Sequence, residues 1–469
     1  MAVKTSFSRP SVMSGIFDRS DPIHWPQEKR AGYGWVITFT LFFFMMLNWA
    51  DKAVLGLAAV PIMRDLNISP ETFGLVSSAM FLTFGLAQIV AAPFMDRLPS
   101  KWFLFALCLS WSVAQVPIIF FASLPALWAG RLLLGIGEGP SSPAMLHGIY
   151  KWFPEEKRAA PGAFASVGAM VGLVIFAPVL AWTIGQYGWL SAFILLAIAG
   201  VVLALVWLVI GKEGPFDRHV PRQAKLAQAD ASLRAESTSE RTGPSVPLWK
   251  TLASPSWILT LLTSFCAYWT FTVAMSWAPA YFQTVLHMPG PQAGSLIGLV
   301  AAWGTVAMVV LSGVSQRLQR RGVPTRKSRA WVLAAGAVVT GGALFAGISV
   351  QETWIAVGLM AIGFGTAPAL FPLALLITTE LAASSKRGAN LALANALQTS
   401  AGVAAPAVSG FIIGGMASSA AGYTTAFALA AGLTLVFGIL CFFFVDQQRD
   451  RRKLGLIEDA APVALPVKV

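Results

Sequence analysis

Charge is the scarcest feature of this chain. Of its 469 residues only 12% are Asp, Glu, Lys or Arg, against 56% hydrophobic ones. Soluble domains carry about 25% charged residues, so a water-facing globule is excluded. Cysteine is nearly absent. Cys108, Cys266 and Cys441 each sit in an apolar run and read as small packing residues, not as a disulfide set. No spacing of ligand residues suggests a metal site, and no nucleophile–base set appears, so neither an enzyme nor a bound cofactor is expected. The first 34 residues, Met1 to Gly34, are polar and hold no apolar core of a signal peptide.

Long apolar runs fill the rest. Twelve lie near 35–58, 72–94, 102–122, 125–148, 160–183, 188–210, 256–282, 293–315, 330–349, 353–379, 389–414 and 423–445. About 20 residues at 1.5 Å each cross a ~30 Å hydrocarbon core, so each run is long enough to span. The expected fold is an all-α membrane protein of twelve transmembrane helices in two six-helix bundles. Its divisions are a tail 1–34, a bundle 35–210, a polar linker 211–254, a second bundle 255–445 and a tail 446–469.

The net charge of +12 raises nucleic acid as a partner, but its distribution argues otherwise. Thirty of the 33 Lys and Arg residues fall in the two tails, the linker and alternate loops; the opposite loops carry Arg64 alone. That asymmetry sets topology, placing both termini in the cytoplasm of a multi-pass plasma-membrane protein. A bacterial inner membrane is the expected setting, and a monomer the expected unit.

The halves repeat. Gly135-Ile136-Gly137-Glu138-Gly139-Pro140 is echoed 228 residues later by Gly363-Phe364-Gly365-Thr366-Ala367-Pro368, and Pro178 by Pro406 at the same offset. Asp96-Arg97-Leu98 pairs with Gln316-Arg317-Leu318 at offset 220. Parallel repeats imply two bundles about an axis along the membrane normal, with a cavity between them at the midplane.

Four ionisable residues lie inside the spans, all in the first half: Asp51, Lys52, Arg131 and Glu138. Each costs roughly 2.5–3.5 kcal/mol at the bilayer centre on insertion scales, which points to a use. Arg131 and Glu138 share a helix face about 10 Å apart along the axis. Asp51 and Lys52 point about 100° apart and need not pair, so Lys52 can face the cavity while Asp51 reaches another helix. The glycines beside Glu138 are expected to admit a neighbouring helix, water or ligand. A proton-coupled carrier of an organic anion needs a buried carboxylate to load a proton, a cation to hold the anion, and coupling between them. Glu138 suits the carboxylate role best and Asp51 is second. An ion-pair network that merely joins helices is the competing use.

At these residues the chain resembles the major facilitator superfamily, and within it the anion:cation symporter branch. Asn48-Trp49-Ala50-Asp51-Lys52 is similar to that branch's first-helix Asn-Tyr-x-Asp-Arg signature. The stretch Arg131 to Ala144 resembles its fourth-helix motif, and Gln88 to Arg97 resembles the approach to the superfamily's gate loop. The resemblance implies that Glu138 and Asp51 are the protonatable pair, that Lys52 binds the substrate carboxylate, and that Arg131 is coupled to the helix-four glutamate. It implies a gating role for Asp96, Arg97 and Lys101, and places Asn395 in the cavity. Departures stand beside these matches. Lys52 replaces an arginine and so loses a bidentate fork. Trp49, Phe84 and Ala169 stand where sugar-acid members carry hydrogen-bonding side chains, which favours a less hydroxylated carboxylate. Gln398, Thr366 and Tyr268 are the remaining candidate cavity groups, Thr366 being the repeat equivalent of Glu138.

The expected function is proton-driven import of a small organic carboxylate by alternating access, with protons, the anion and the bilayer as partners. A uniporter or efflux carrier, a non-transporting membrane sensor, and a sodium gradient are the alternatives.

Overall fold

Within a bilayer every backbone N–H and C=O must be satisfied inside its own segment, which leaves a chain of apolar runs little choice but helix. A computed structural model of the chain describes residues 27–95, 97–216, 246–383 and 386–456. Asp96, both tails in large part and most of the linker lie outside them. Helix is the regular structure found among the described residues.

Twelve crossings follow in order: α1 (Gln27–Leu57), α2 (Pro70–Met95), α3 (Ser100–Phe121), α4 (Leu124–Glu138, resuming as Ser141–Tyr150), α5 (Ala159–Tyr187) and α6 (Trp189–Ile210). The second half gives α7 (Pro255–Thr284), α8 (Gly290–Arg320), α9 (Trp331–Ser349), α10 (Thr353–Thr366, resuming as Leu370–Glu380), α11 (Arg387–Thr399, resuming as Ala401–Gly415) and α12 (Ser419–Phe444). Eleven described helices are long and apolar enough to cross a membrane as single runs. The exception is α4, which Gly139-Pro140 interrupts just after Glu138. Proline removes a backbone donor and crowds the preceding turn, so the break puts a glutamate at a helix end in mid-crossing. At the matching place α10 passes through a short 3-10 turn, Ala367–Ala369.

Within the first half α1 packs on α5, α3 on α6, and α2 and α3 on α4. Within the second, α9 packs on α10 and α12, α7 on α12, and α8 on α10. Between halves the main contacts are α5 with α8 and α2 with α11, followed by α1 with α7. Adding six to each number turns α2–α11 into α8–α5, so the seam obeys the repeat.

The seam is tight at one end. Glycines let the backbones meet away from the termini: Gly74 lies against Pro406 and Gly410, Gly294 against Ala177 and Ala181, and Gly56 against the Met275 carbonyl. The Ala407 backbone N–H adds a hydrogen bond to the Ser78 hydroxyl oxygen across the seam, 3.1 Å. Toward the end where α1 begins and α12 finishes, the first part of α11 only grazes α2, with Asn395 Nδ2 3.5 Å from Gln88 Oε1. The halves are joined at the far end and part toward the terminal end.

Candidate substrate and proton site

Helix α1 supplies Asn48, Asp51 and Lys52 within five residues, so Asn48 and Lys52 share a face while Asp51 points elsewhere. Lys52 turns toward α4. Its ammonium lies 2.5 Å from Glu138 Oε2 and donates to Asn48 Oδ1 at 2.6 Å. The rings of Trp49 and Phe84 flank it, with centroids 5.8 and 5.5 Å away, close enough for cation–π attraction. Asp51 turns to α3, where the Gln115 amide donates to its Oδ1 at 2.8 Å.

Arg131, about two turns into α4, does not reach Glu138. It donates to the backbone carbonyl of Asp51 at 3.4 Å, stands 5.6 Å from the Phe193 ring, and leaves its Nη2 without a hydrogen-bond partner. Glu138 Oε1 is likewise unpartnered. Four charged groups are therefore gathered in the dry interior with one direct ion pair among them. Arg131 and Glu138 make no direct contact, and Arg131 instead meets the α1 backbone. Both residues sit on the expected face, but the seven-residue spacing leaves them too far apart to touch.

The glycines around Glu138 do not open space. A Cβ at Gly135 would meet Thr83 and the Met80 carbonyl, one at Gly137 would meet Ser110, and one at Gly139 would meet the Phe84 carbonyl. They are close-approach positions for α2 and α3, which corrects the expectation of room for water or ligand there. The same approach is what brings the Phe84 ring to Lys52. The space beside the charges is a cavity of about 20 Å³ lined by Lys52, Arg131, Ser77, Phe81 and Phe271 among others, enough for about one water. A far larger hollow, about 700 Å³, lies at the terminal end between Trp35, Trp152, Lys157 and Phe216; it contains none of the four buried charges.

The other sequence candidates divide. Tyr268 on α7 is buried and stacks within a ring cluster, 5.1 Å from Phe371 and 5.8 Å from Phe271, and lies within electrostatic reach of Glu138. Trp49 meets Phe271 across the seam, 5.5 Å between centroids. Thr366 is committed within its own half: its hydroxyl donates to the Ile362 carbonyl at 2.7 Å and accepts from the Trp303 indole at 3.0 Å. Gln398 is almost wholly buried, and its Oε1 accepts from the Ser264 hydroxyl. Asn395 sits in the gap at the terminal end. Ala169 is buried. Of the loop set, Arg97 is exposed. Lys101 opens α3, where its backbone N–H donates to Glu213 Oε1 at 2.9 Å and its carbonyl accepts from the Trp207 indole. Asp96 lies outside the described residues.

Sequence reasoning missed Gln115, Phe271 and Phe371. Gln115 carries the signal of a large amide in an apolar run. The two phenylalanines carry none, since they are two among 31 in this chain.

The family model of the Major Facilitator Superfamily matches residues 41–406. The chain is 26% identical over 459 residues to a probable galactarate/D-glucarate transporter of Bacillus subtilis (strain 168), covering 94% of this chain and 98% of that one. It is 26% identical over 298 residues to a probable L-galactonate transporter of Escherichia coli (strain K12), covering 63% and 64%. Among solved structures it is similar to a bacterial homologue of the human lysosomal transporter Spinster in an inward-facing, occupied conformation. There the TM-score is 0.72 at 17% identity, over 90% of this chain and 98% of that one. It is also similar to a D-xylose–proton symporter, with a TM-score of 0.67 at 16% identity over 89% and 99%. With the superfamily's model spanning most of the sequence and its fold in every crossing, this chain belongs to the Major Facilitator Superfamily and is a membrane transporter, not an enzyme.

Proposed function

We propose that the chain is a symporter that carries a small organic carboxylate together with a proton by alternating access. The observation that carries this reading is the 2.5 Å contact between Lys52 and Glu138. A substrate carboxylate and the Glu138 carboxylate compete for the same ammonium. In a low-dielectric site an uncompensated charge is costly, so two fillings are cheap. In one, ionised Glu138 neutralises Lys52 and the site is empty. In the other, a proton neutralises Glu138 and the substrate carboxylate takes its place on Lys52. Substrate without proton, or proton without substrate, leaves net charge in the seam. Movement between the two faces is thereby restricted to the empty and the doubly loaded site.

Asp51, held by Gln115 and by its nearness to Arg131, is the second acid and sets the field in which Glu138 ionises. Arg97 and Lys101, with Asp96, gate the terminal end. The names of the relatives, carriers of galactarate, D-glucarate and galactonate, support an organic anion as cargo. The basic residues at the terminal end support cytoplasmic termini in a bacterial inner membrane. The site is built within one chain, which supports a monomer as the working unit. The seam described above supports a division into a bundle 35–210, a linker 211–254 and a bundle 255–445.

Proteoliposomes with an alkaline interior test the coupling. Carboxylate accumulation above the outside concentration, abolished by a protonophore and indifferent to sodium, is expected. Accumulation that survives the protonophore, or equilibration alone, would overturn proton symport.

A further inference from the structure

The surroundings of Lys52 are built of rings from both halves. Trp49, Phe81 and Phe84 come from α1 and α2, while Tyr268, Phe271 and Phe371 come from α7 and α10. They touch across the seam, Trp49 on Phe271 at 5.5 Å and Phe81 on Tyr268 at 6.3 Å. Within the second half Phe271 and Phe371 meet at 5.9 Å. Met80 and Met275 complete the lining beside the ammonium. Trp49, Phe81, Phe84 and Phe371 are each partly accessible, and Phe81 and Phe271 line the small cavity beside Lys52.

Several polar groups nearby are already engaged, while Asn48 Nδ2 and Arg131 Nη2 have no hydrogen-bond partner. Ser77 donates to the Phe73 carbonyl. Asn48 Oδ1 is taken by Lys52. Thr366 is held between Ile362 and Trp303, and Gln398 is held by Ser264. A ligand bearing a row of hydroxyls would surrender its water to this wall and gain few partners in exchange. A flat apolar body with one carboxylate would place its charge on Lys52 and its faces between rings that favour offset or edge-on packing.

We infer that this site selects a planar aromatic or otherwise hydroxyl-poor monocarboxylate over polyhydroxylated sugar acids, and that Phe84, Phe271 and Phe371 are its specificity-determining residues. The inference rests on the carboxylate-symport reading above and names its cargo class. It sets this chain apart from the sugar acids in its relatives' names, and the reason lies in the lining alone.

The test is counterflow in proteoliposomes loaded with benzoate, phenylacetate, D-gluconate or D-glucarate. Half-saturation for the aromatic acids is expected about 10- to 100-fold below that for the sugar acids, the range over which an apolar pocket discriminates against added polar groups. Phe84→Tyr, which adds a hydroxyl without removing the ring, is expected to narrow that gap. Phe371→Leu is expected to weaken benzoate more than gluconate. Gluconate or glucarate exchanged as well as benzoate, with proton-driven accumulation intact, would overturn the specificity and leave the symport reading standing. Exchange of none of the four acids would overturn both.

Discussion

An ammonium and a carboxylate buried together stabilise one another, and either alone is a liability. Lys52 and Glu138 are in that position. The side chain of Lys52 is 9% exposed and that of Glu138 is not exposed at all. Replacing one partner of such a pair typically costs about 3–5 kcal/mol, while replacing both with neutral groups is often close to neutral. Lys52→Met is therefore expected to lower the melting temperature in detergent by several degrees, and Lys52→Met with Glu138→Gln to restore most of the loss. Equal loss in the single and the double variant would contradict a paired charge. The sequence disclosed these residues because charge inside an apolar run is rare, and adjacency on a helix told that Asp51 and Lys52 diverge. It did not disclose that Arg131 would settle on the Asp51 carbonyl. That depends on how α1 and α4 cross, which no local spacing encodes.

At the scale of elements, the crossing of α1 on α7 hinges on Gly56. Any β-carbon there would collide with the Met275 carbonyl, a backbone atom that cannot swing away. Gly56→Val is expected to hold the far end of the seam apart. In that background a cysteine at Ser77, which lines the small cavity, should react several-fold faster with a membrane-impermeant maleimide than it does with Gly56 intact. The native thiols are all buried and supply a quiet background. An unchanged labelling rate would show that Gly56 does not control closure.

A second element is the short helix Gln447–Lys453 after α12. Its Asp450 accepts from the Ser256 backbone N–H at 2.9 Å and from Arg449 Nε at 2.9 Å, tying the tail to the start of α7. Burial opposes ionisation of Asp450, but these hydrogen bonds outweigh it and hold the carboxyl below the usual range. A lowered pKa contributes stability above the unfolded value, about 3.9, and loses it as pH falls through that value and on past the folded one. Asp450→Asn is expected to melt below the wild type at pH 7, with the difference shrinking as pH drops under about 4. A gap that stays constant with pH would remove the carboxylate from the explanation. Helix bounds were legible to within a few residues wherever apolar runs end in Gly, Pro or charge. The exceptions are α1, whose helix begins eight residues before its apolar run, and α8, which continues into its basic end. Polar residues at a membrane surface extend a helix without adding hydropathy.

For the whole molecule, the twelve crossings and their division into two repeated halves were readable because lipid removes every alternative to helix and duplication leaves a fixed offset. The direction in which the seam opens was not readable. It depends on which glycine contacts are made at a given moment, and one sequence serves both faces. The halves meet away from the termini and part near Asn395 and Gln88, so the ion pair of Lys52 and Glu138 lies between the closed end and the open one. That is the place for a coupling carboxylate, and the most direct measurement is made there. Wild type and Glu138→Gln are compared in the same proteoliposomes, once for counterflow and once for accumulation driven by a pH gradient, with benzoate and D-gluconate as cargoes. Glutamine imitates the protonated acid and leaves Lys52 to the substrate, so Glu138→Gln is expected to keep counterflow and lose pH-driven accumulation. Accumulation that persists in Glu138→Gln, or counterflow lost together with it, would contradict Glu138 as the group that couples proton to anion.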